Sequence, residues 1–200
     1  PGELQVKDRL TKHELDYKYS CKWGDFNASS KHGATYLLPY PDGASAEVGQ
    51  GFDGMLSHHG AYKFAVDFLM PEGTPITAAR SGTIISIKDK SKTGGPSKAF
   101  KKFANVIQVI HDDGTVASYG HLEFKGSLAV VGEQIETGEI LGFSGHTGFS
   151  TVPHLDFYVY KPVNGKSITS LPIKFLTKRG ILYKPKIGEN YTSTSALKEE

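Results

Sequence analysis

The sequence predicts a mainly β domain, built on an antiparallel sheet core, with long loops that form a groove. Three observations lead there. Short runs of alternating or β-branched residues recur at close intervals, as strands do. Turn signals rich in Gly, Pro and Asp separate them. The composition, with 23 glycines, 11 phenylalanines and 10 tyrosines in 200 residues, suits a turn-rich β protein.

Taken in order, residues 1 to about 30 are polar, with a short helix or strand expected near Leu4 to Tyr19. Tyr36-Leu37-Leu38 reads as a strand closed by the turn Pro41-Asp42-Gly43. Gln50-Gly51-Phe52-Asp53-Gly54 is a glycine-spaced loop that delivers the chain to His58. Strands are expected at Ala65–Phe68, Thr83–Lys88, Asn105–His111, Thr115–Tyr119, Gln134–Glu136 and Leu155–Tyr160. Asp112-Asp113-Gly114 lies between two of them as a hairpin turn. Val131 to Gly142 carries paired glycines around apolar residues, a tight double turn. Asp89 to Lys102, lysine-rich and broken by Gly94-Gly95-Pro96, is a long loop, either a solvated excursion or a wall of a site. Leu171 to Leu176 adds an edge strand, and roughly the last ten residues fray. Residues 1–49 thus form an N-terminal extension packing on the core, 50–165 the main domain, and 166–200 an edge strand with a tail.

Bulk properties narrow the partners. A net charge of +2 is an ordinary soluble balance and gives no case for nucleic-acid binding, while the basic pI suits an anionic polymer. No apolar run approaches the roughly 18 residues of a membrane span, and no signal peptide is expected in this chain. Cys21 is the only cysteine, so no intrachain disulfide is possible.

Three segments concentrate imidazoles and carboxylates. His154 and Asp156 sit two apart on a strand and therefore project from one face. Ser57-His58-His59 precedes Ala65-Val66-Asp67-Phe68, whose lone carboxylate in an apolar strand needs a cation partner. His121 closes the run Thr115 to Leu122. Such residues in separate segments are the raw material of a catalytic zinc site, which takes three protein ligands and keeps one position open. His13, His32, His111 and His146 lack such surroundings, although His146 lies in a turn close to the site and a role at its rim stays open.

From about Gln50 to Lys161 the chain resembles the lysostaphin/LytM-type zinc endopeptidases, which cut peptide cross-links in bacterial peptidoglycan. The resemblance rests on an ordered set: Ser57-His58, Ala65-Val66-Asp67-Phe68, Met70 to Ile76, Ala78 to Ile84, Tyr119-Gly120-His121-Leu122 and Pro153-His154-Leu155. It implies a LytM-like fold whose double turn is shared with biotinyl and lipoyl domains. It also implies Zn2+ held by His58, Asp67 and Asp156, with His121 and His154 as the catalytic pair. A wall peptide is then the substrate, and the site of action lies outside the cytoplasm.

Two departures from the pattern matter. The third ligand slot, normally histidine, holds Asp156, and the position four before Asp67, where relatives carry a histidine, holds Lys63. Lysine must lose a proton before it can ligate, so a longer loop would have to return His58 to the metal. One histidine with two carboxylates is a harder donor set than two histidines with one. It admits manganese or a weakly held ion. The alternative is a degenerate, non-catalytic module that binds wall peptides or activates a partner amidase. His121 or His154 would serve as general base or oxyanion donor, with Tyr119 a weaker choice for the latter.

Overall fold

A computed structural model describes residues 19–28 and 34–195. Among these it places seventeen strands and two short 3-10 helices. The strands are β1 (Thr35–Leu37), β2 (Ser45–Gln50), β3 (Val66–Leu69), β4 (Pro75–Thr77), β5 (Gly82–Lys88) and β6 (Gly94–Gly95). Next come β7 (Val106–Ile110), β8 (Val116–Gly120), β9 (Leu122–Ser127), β10 (Gln134–Ile135), β11 (Ile140–Ser144) and β12 (Gly148–Phe149). The last are β13 (His154–Pro162), β14 (Ile168–Ser170), β15 (Lys174–Thr177), β16 (Gly180–Leu182) and β17 (Asn190–Thr192). The element expected near Leu4 to Tyr19 lies, except for Tyr19, outside the described residues.

The mainly β, antiparallel expectation holds. Nine strands form one sheet in the order β10-β5-β7-β8-β13-β3-β2-β17, with β14 on the far end of β13. Every pairing in it is antiparallel. The two parallel pairs, β1 with β15 and β6 with β12, are short and lie outside it.

Period-2 alternation gives this sheet two distinct faces. Leu155, Phe157 and Val159 of β13, Val66 and Phe68 of β3, Ala117 and Tyr119 of β8, and Ile107 and Val109 of β7 point into the core and are fully buried. Tyr36, Tyr40 and Phe175 close the core from the other side. Edge contacts there include Phe68 to Phe175 at 5.9 Å and Tyr40 to Phe68 at 5.5 Å between ring centroids. Burying each such side chain contributes about 1.5–3 kcal/mol. The opposite face carries His154, Asp156 and Tyr158 of β13, and it is the face that bears the groove.

Local signals account for the connections. The Asp112-Asp113-Gly114 turn joins β7 to β8, with Gly114 at φ 76° and its N–H donating to the His111 carbonyl at 3.0 Å. Gly132 and Gly138 take φ 92° and 86° in the predicted double turn. The Asp89–Lys102 stretch folds over the sheet: β6 pairs with β12, and a 3-10 helix over Lys98–Phe103 starts at Ser97, whose hydroxyl accepts from the Ala99 N–H. Pro96 and Lys101 of this stretch line the groove, so it is a wall.

The C-terminal part differs from expectation. Lys174–Thr177 does not extend the main sheet but pairs with β1 and β16 in a separate small one. Tyr191 and Thr192, at the start of the stretch expected to fray, belong to the strand Asn190–Thr192 beside β2, and residues 196–200 of that stretch lie outside the described residues. Among the described residues no helix is long and apolar enough to cross a membrane.

Candidate metal and catalytic site

The groove, about 480 Å³, sits over β13, β3 and β8 and is walled by the loop before β3 and by the Lys98–Phe103 helix. Sheet register sets its floor. Asp156 stands directly opposite Asp67 on one side and Gly120 on the other. His154 and Tyr158 share its face.

His58 reaches this floor from the loop between β2 and β3. Its imidazole is buried, 2% exposed, and Nδ1 lies 3.0 Å from the Gly51 carbonyl. A carbonyl can only accept, so Nδ1 carries the hydrogen and Nε2 is the atom presented to the site. That Nε2 lies 3.1 Å from Asp67 Oδ1 and 3.9 Å from Asp156 Oδ1. One donor atom from each of His58, Asp67 and Asp156 falls within 4.8 Å of the others. His59 is exposed on the outside of the same loop. Lys63 also points away, to Asp53 at 3.5 Å, so the loop substitutes His58 for the nearer position.

His121 and His154 flank these groups, with ring centroids 4.6 Å apart. His121 Nδ1–H donates to the Thr147 carbonyl at 2.6 Å, and His154 Nδ1–H to the Val152 carbonyl at 2.7 Å. Each therefore turns Nε2 outward, and His154 Nε2 lies 3.7 Å from Asp67 Oδ1. His121 adopts φ 63°, a left-handed conformation that costs a non-glycine residue about 1–3 kcal/mol. It occupies the single residue between β8 and β9, which belong to different sheets. The structure thus brings all five predicted residues together.

Tyr119 is a correction. It faces the core, fully buried, and its hydroxyl accepts from the Ala79 N–H at 2.9 Å, while burial pushes its phenol up. Strand alternation explains this: Ser118 and Gly120, not Tyr119, share the face of Asp156. His146 bonds to Ser150 at 2.8 Å, whose Oγ is also 3.2 Å from His154 Nδ1.

Electrostatics without a cation are unfavourable. Burial raises Asp156, and the charge of Asp67 raises it further, to about 6, although His58, His154 and Lys101 oppose this. The side chain keeps 25% of its surface on the groove, yet Oδ1 is sheltered and has no hydrogen-bond partner. Burial also raises Asp67, but its hydrogen bond from His58, the charges of His154 and His58 and a bond from Gln50 outweigh that, leaving it lowered. Burial pushes His58 down, and Asp67 and Asp156 more than reverse this. His121 is held down at about 4 by burial and then by His154. A sheltered carboxylate oxygen without a partner, opposite a second carboxylate and beside an imidazole nitrogen, is a donor set that can hold a divalent cation.

Several residues that position the site left no functional signal in the sequence. Gln50 Nε2 donates to Asp67 Oδ2 at 2.9 Å. Asn105, fully buried, donates to the carbonyls of Ser91, Leu122 and Glu123 and so holds the segment immediately after His121. Thr147 accepts from the Asn105 N–H and donates to the Leu122 carbonyl, which fixes the carbonyl that receives His121. A buried amide or hydroxyl of this kind looks like any strand-end polar residue until its partners are seen.

Comparison with known proteins identifies the family. Residues 61–170 match the model of peptidase family M23, a stretch that holds Asp67, His121, His154 and Asp156 and begins just after His58. The glycyl-glycine endopeptidase ALE-1 of Staphylococcus capitis is 30% identical over 84% of this chain and 41% of its own length. Lysostaphin of Staphylococcus simulans is 31% identical over 76% of this chain and 28% of its own. A solved structure of that lysostaphin matches with a TM-score of 0.47 at 31% identity, over 62% of this chain and 47% of the other. The chain spans less than half the length of these curated relatives. With more than half of its residues inside the family match, the chain belongs to peptidase family M23.

Proposed function

We propose that this domain is a zinc-dependent endopeptidase that hydrolyses peptide cross-links of bacterial peptidoglycan outside the cytoplasm. The observation that carries this reading is the approach of His58, Asp67 and Asp156 donor atoms to within 4.8 Å, beside two histidines with outward-facing Nε2 atoms. Residues 50–165 are taken as the peptidase domain, with β2, β14 and β17 of the flanking segments built into its sheet.

In this reading His58 Nε2, Asp67 Oδ1 and Asp156 would hold the ion. A zinc ion held there would supply Lewis-acid chemistry toward a scissile carbonyl and a water. His121 and His154 move the protons. The tethered Nδ1–H of each leaves a lone pair on Nε2, which accepts a proton from the attacking water and returns it to the leaving amine. Burial keeps His121 neutral at physiological pH, as a base must be. Once protonated, either histidine can donate to the oxyanion. Tyr62 and Tyr158, in edge contact at 5.3 Å, form an aromatic wall against which an extended peptide lies.

The identity of Asp156 favours one rival: a module that keeps the groove as a peptide-binding surface and has lost turnover. The test pairs metal analysis of protein purified without added metal with digestion of peptidoglycan of several cross-link chemistries. Bound zinc and released peptide fragments support the enzyme. Zinc-saturated protein that releases no fragments from any of them refutes it and leaves the binding module.

A further inference from the structure

We propose that Gln50 is a positioning residue of the metal ligands, holding two of them in register from behind. This rests on the reading of His58, Asp67 and Asp156 as ligands. Gln50 is 5% exposed. Its Nε2 donates one hydrogen to Asp67 Oδ2 at 2.9 Å and the other to Ser57 Oγ at 2.9 Å. Its Oε1 accepts from the Leu56 N–H at 2.9 Å and the Ser57 N–H at 3.3 Å. All four hydrogen-bonding positions of the amide are therefore used. A flipped amide would set oxygen against the Asp67 carboxylate, so only one orientation is possible.

The consequence is geometric. Occupying Oδ2 of Asp67 leaves Oδ1, the oxygen 3.1 Å from His58 Nε2, as the one turned to the ion. Anchoring the N–H groups of Leu56 and Ser57 fixes the loop immediately before His58. One side chain thus sets the orientation of a strand ligand and the position of a loop ligand. Placement of Gln50 depends on a register shift in β2. Val48 pairs with Phe68, but Gln50, two residues on, pairs with Asp67, the very next residue along β3. Strict alternation would turn Gln50 toward the core with Ala46 and Val48. The shift brings it to the groove face, as bulges beside active sites do. Gly54 makes the room: a Cβ there would sit 2.2 Å from Gln50 Cγ.

The test measures zinc affinity of the whole chain by chelator competition, well below the melting temperature, with folding followed by circular dichroism. Gln50→Met keeps the side-chain length and removes every hydrogen bond, and Gly54→Ala displaces Gln50 without altering it. Ile84→Val, in the core away from the groove, controls for general loss of stability. Outer-shell partners of metal ligands typically contribute about 10–100-fold in affinity. Both Gln50→Met and Gly54→Ala are expected to weaken zinc binding on that scale, and Ile84→Val to leave it unchanged. Wild-type affinity in folded Gln50→Met overturns the inference while leaving the metal reading intact, and so does an equal loss in Ile84→Val. Should Gln50→Met fail to fold, Gly54→Ala decides by the same criterion. A wild-type protein that takes up no zinc overturns the metal reading and this inference together.

Discussion

Asp67 and Asp156 face each other in register across β3 and β13, two carboxylates on the same side of one sheet. Like charges directly opposite on neighbouring strands destabilise a sheet, and burial sharpens the conflict by raising Asp156 to about 6. His58 relieves part of it through Asp67, but Asp156 Oδ1 is left without a partner. On the proposed reading, a divalent ion would resolve the remainder. At a zinc concentration about 100 times the dissociation constant, linkage adds about 2.7 kcal/mol to folding stability. Melting curves with and without zinc, after treatment with chelator, check this, and coincident curves would contradict it.

Replacing the carboxylate by the imidazole that the family resemblance implies at this position should tighten the site. Asp156→His removes the like-charge pair and supplies a softer donor suited to zinc. Zinc affinity is expected to rise by about tenfold, with a lower preference for manganese. Competition titrations with both ions measure it. Equal or weaker zinc binding would mean that Asp156 already serves as well as histidine does.

Proton transfer and ligation separate by mutation. His154→Ala should lower turnover by about 10²–10⁴-fold and leave zinc content nearly unchanged. Asp67→Ala should abolish both, since alanine offers no lone pair. Fragment release from peptidoglycan and metal content on the same preparations distinguish the two. A His154→Ala protein that loses its zinc would place His154 among the ligands.

Tyr119→Phe tests the core assignment of a residue that the motif made a candidate for catalysis. Losing the hydroxyl strands the buried Ala79 N–H, which costs about 1–3 kcal/mol. Turnover at temperatures where the variant is folded should match wild type. A loss of turnover without loss of stability would return Tyr119 to the site.

Acid stability should depend on His111. It is 4% exposed, its Nδ1–H donates to the Ser81 carbonyl at 2.8 Å, and Nε2 is buried without a partner. Burial, assisted by Arg80, lowers it from 6.5 to about 4. Between those values the unfolded chain binds a proton that the folded chain refuses, so stability falls as pH drops from about 6.5 toward 4. One such group contributes a slope of about 1.4 kcal/mol per pH unit. His111→Gln should flatten the stability curve by that amount in this range and leave it unchanged above pH 7. Urea midpoints across pH read it directly, and parallel curves for the two proteins would exclude the assignment. His121, also lowered to about 4, contributes equally to both proteins and cancels in the comparison.

Much of this fold was legible because its signals are local. Alternation in Val106–Ile110 and His154–Pro162 follows from a sheet with one face in the core, and Asp112-Asp113-Gly114 specifies its own turn. The shared face of His154 and Asp156 needed only the period of a strand. What the sequence could not decide was which distant backbone stood beside which. Register across β3, β13 and β8 puts Asp67 opposite Asp156 and turns Tyr119 into the core. A one-step shift in β2 carries Gln50 to the groove. The path of the loop decides that His58, and not His59 or Lys63, reaches Asp67. Asn190–Thr192, near the C-terminus, is a strand because β2 offers it an open edge. Side-chain chemistry is written residue by residue. The pairing of buried polar groups depends on backbone neighbours far apart in the chain, and only the folded sheet supplies them.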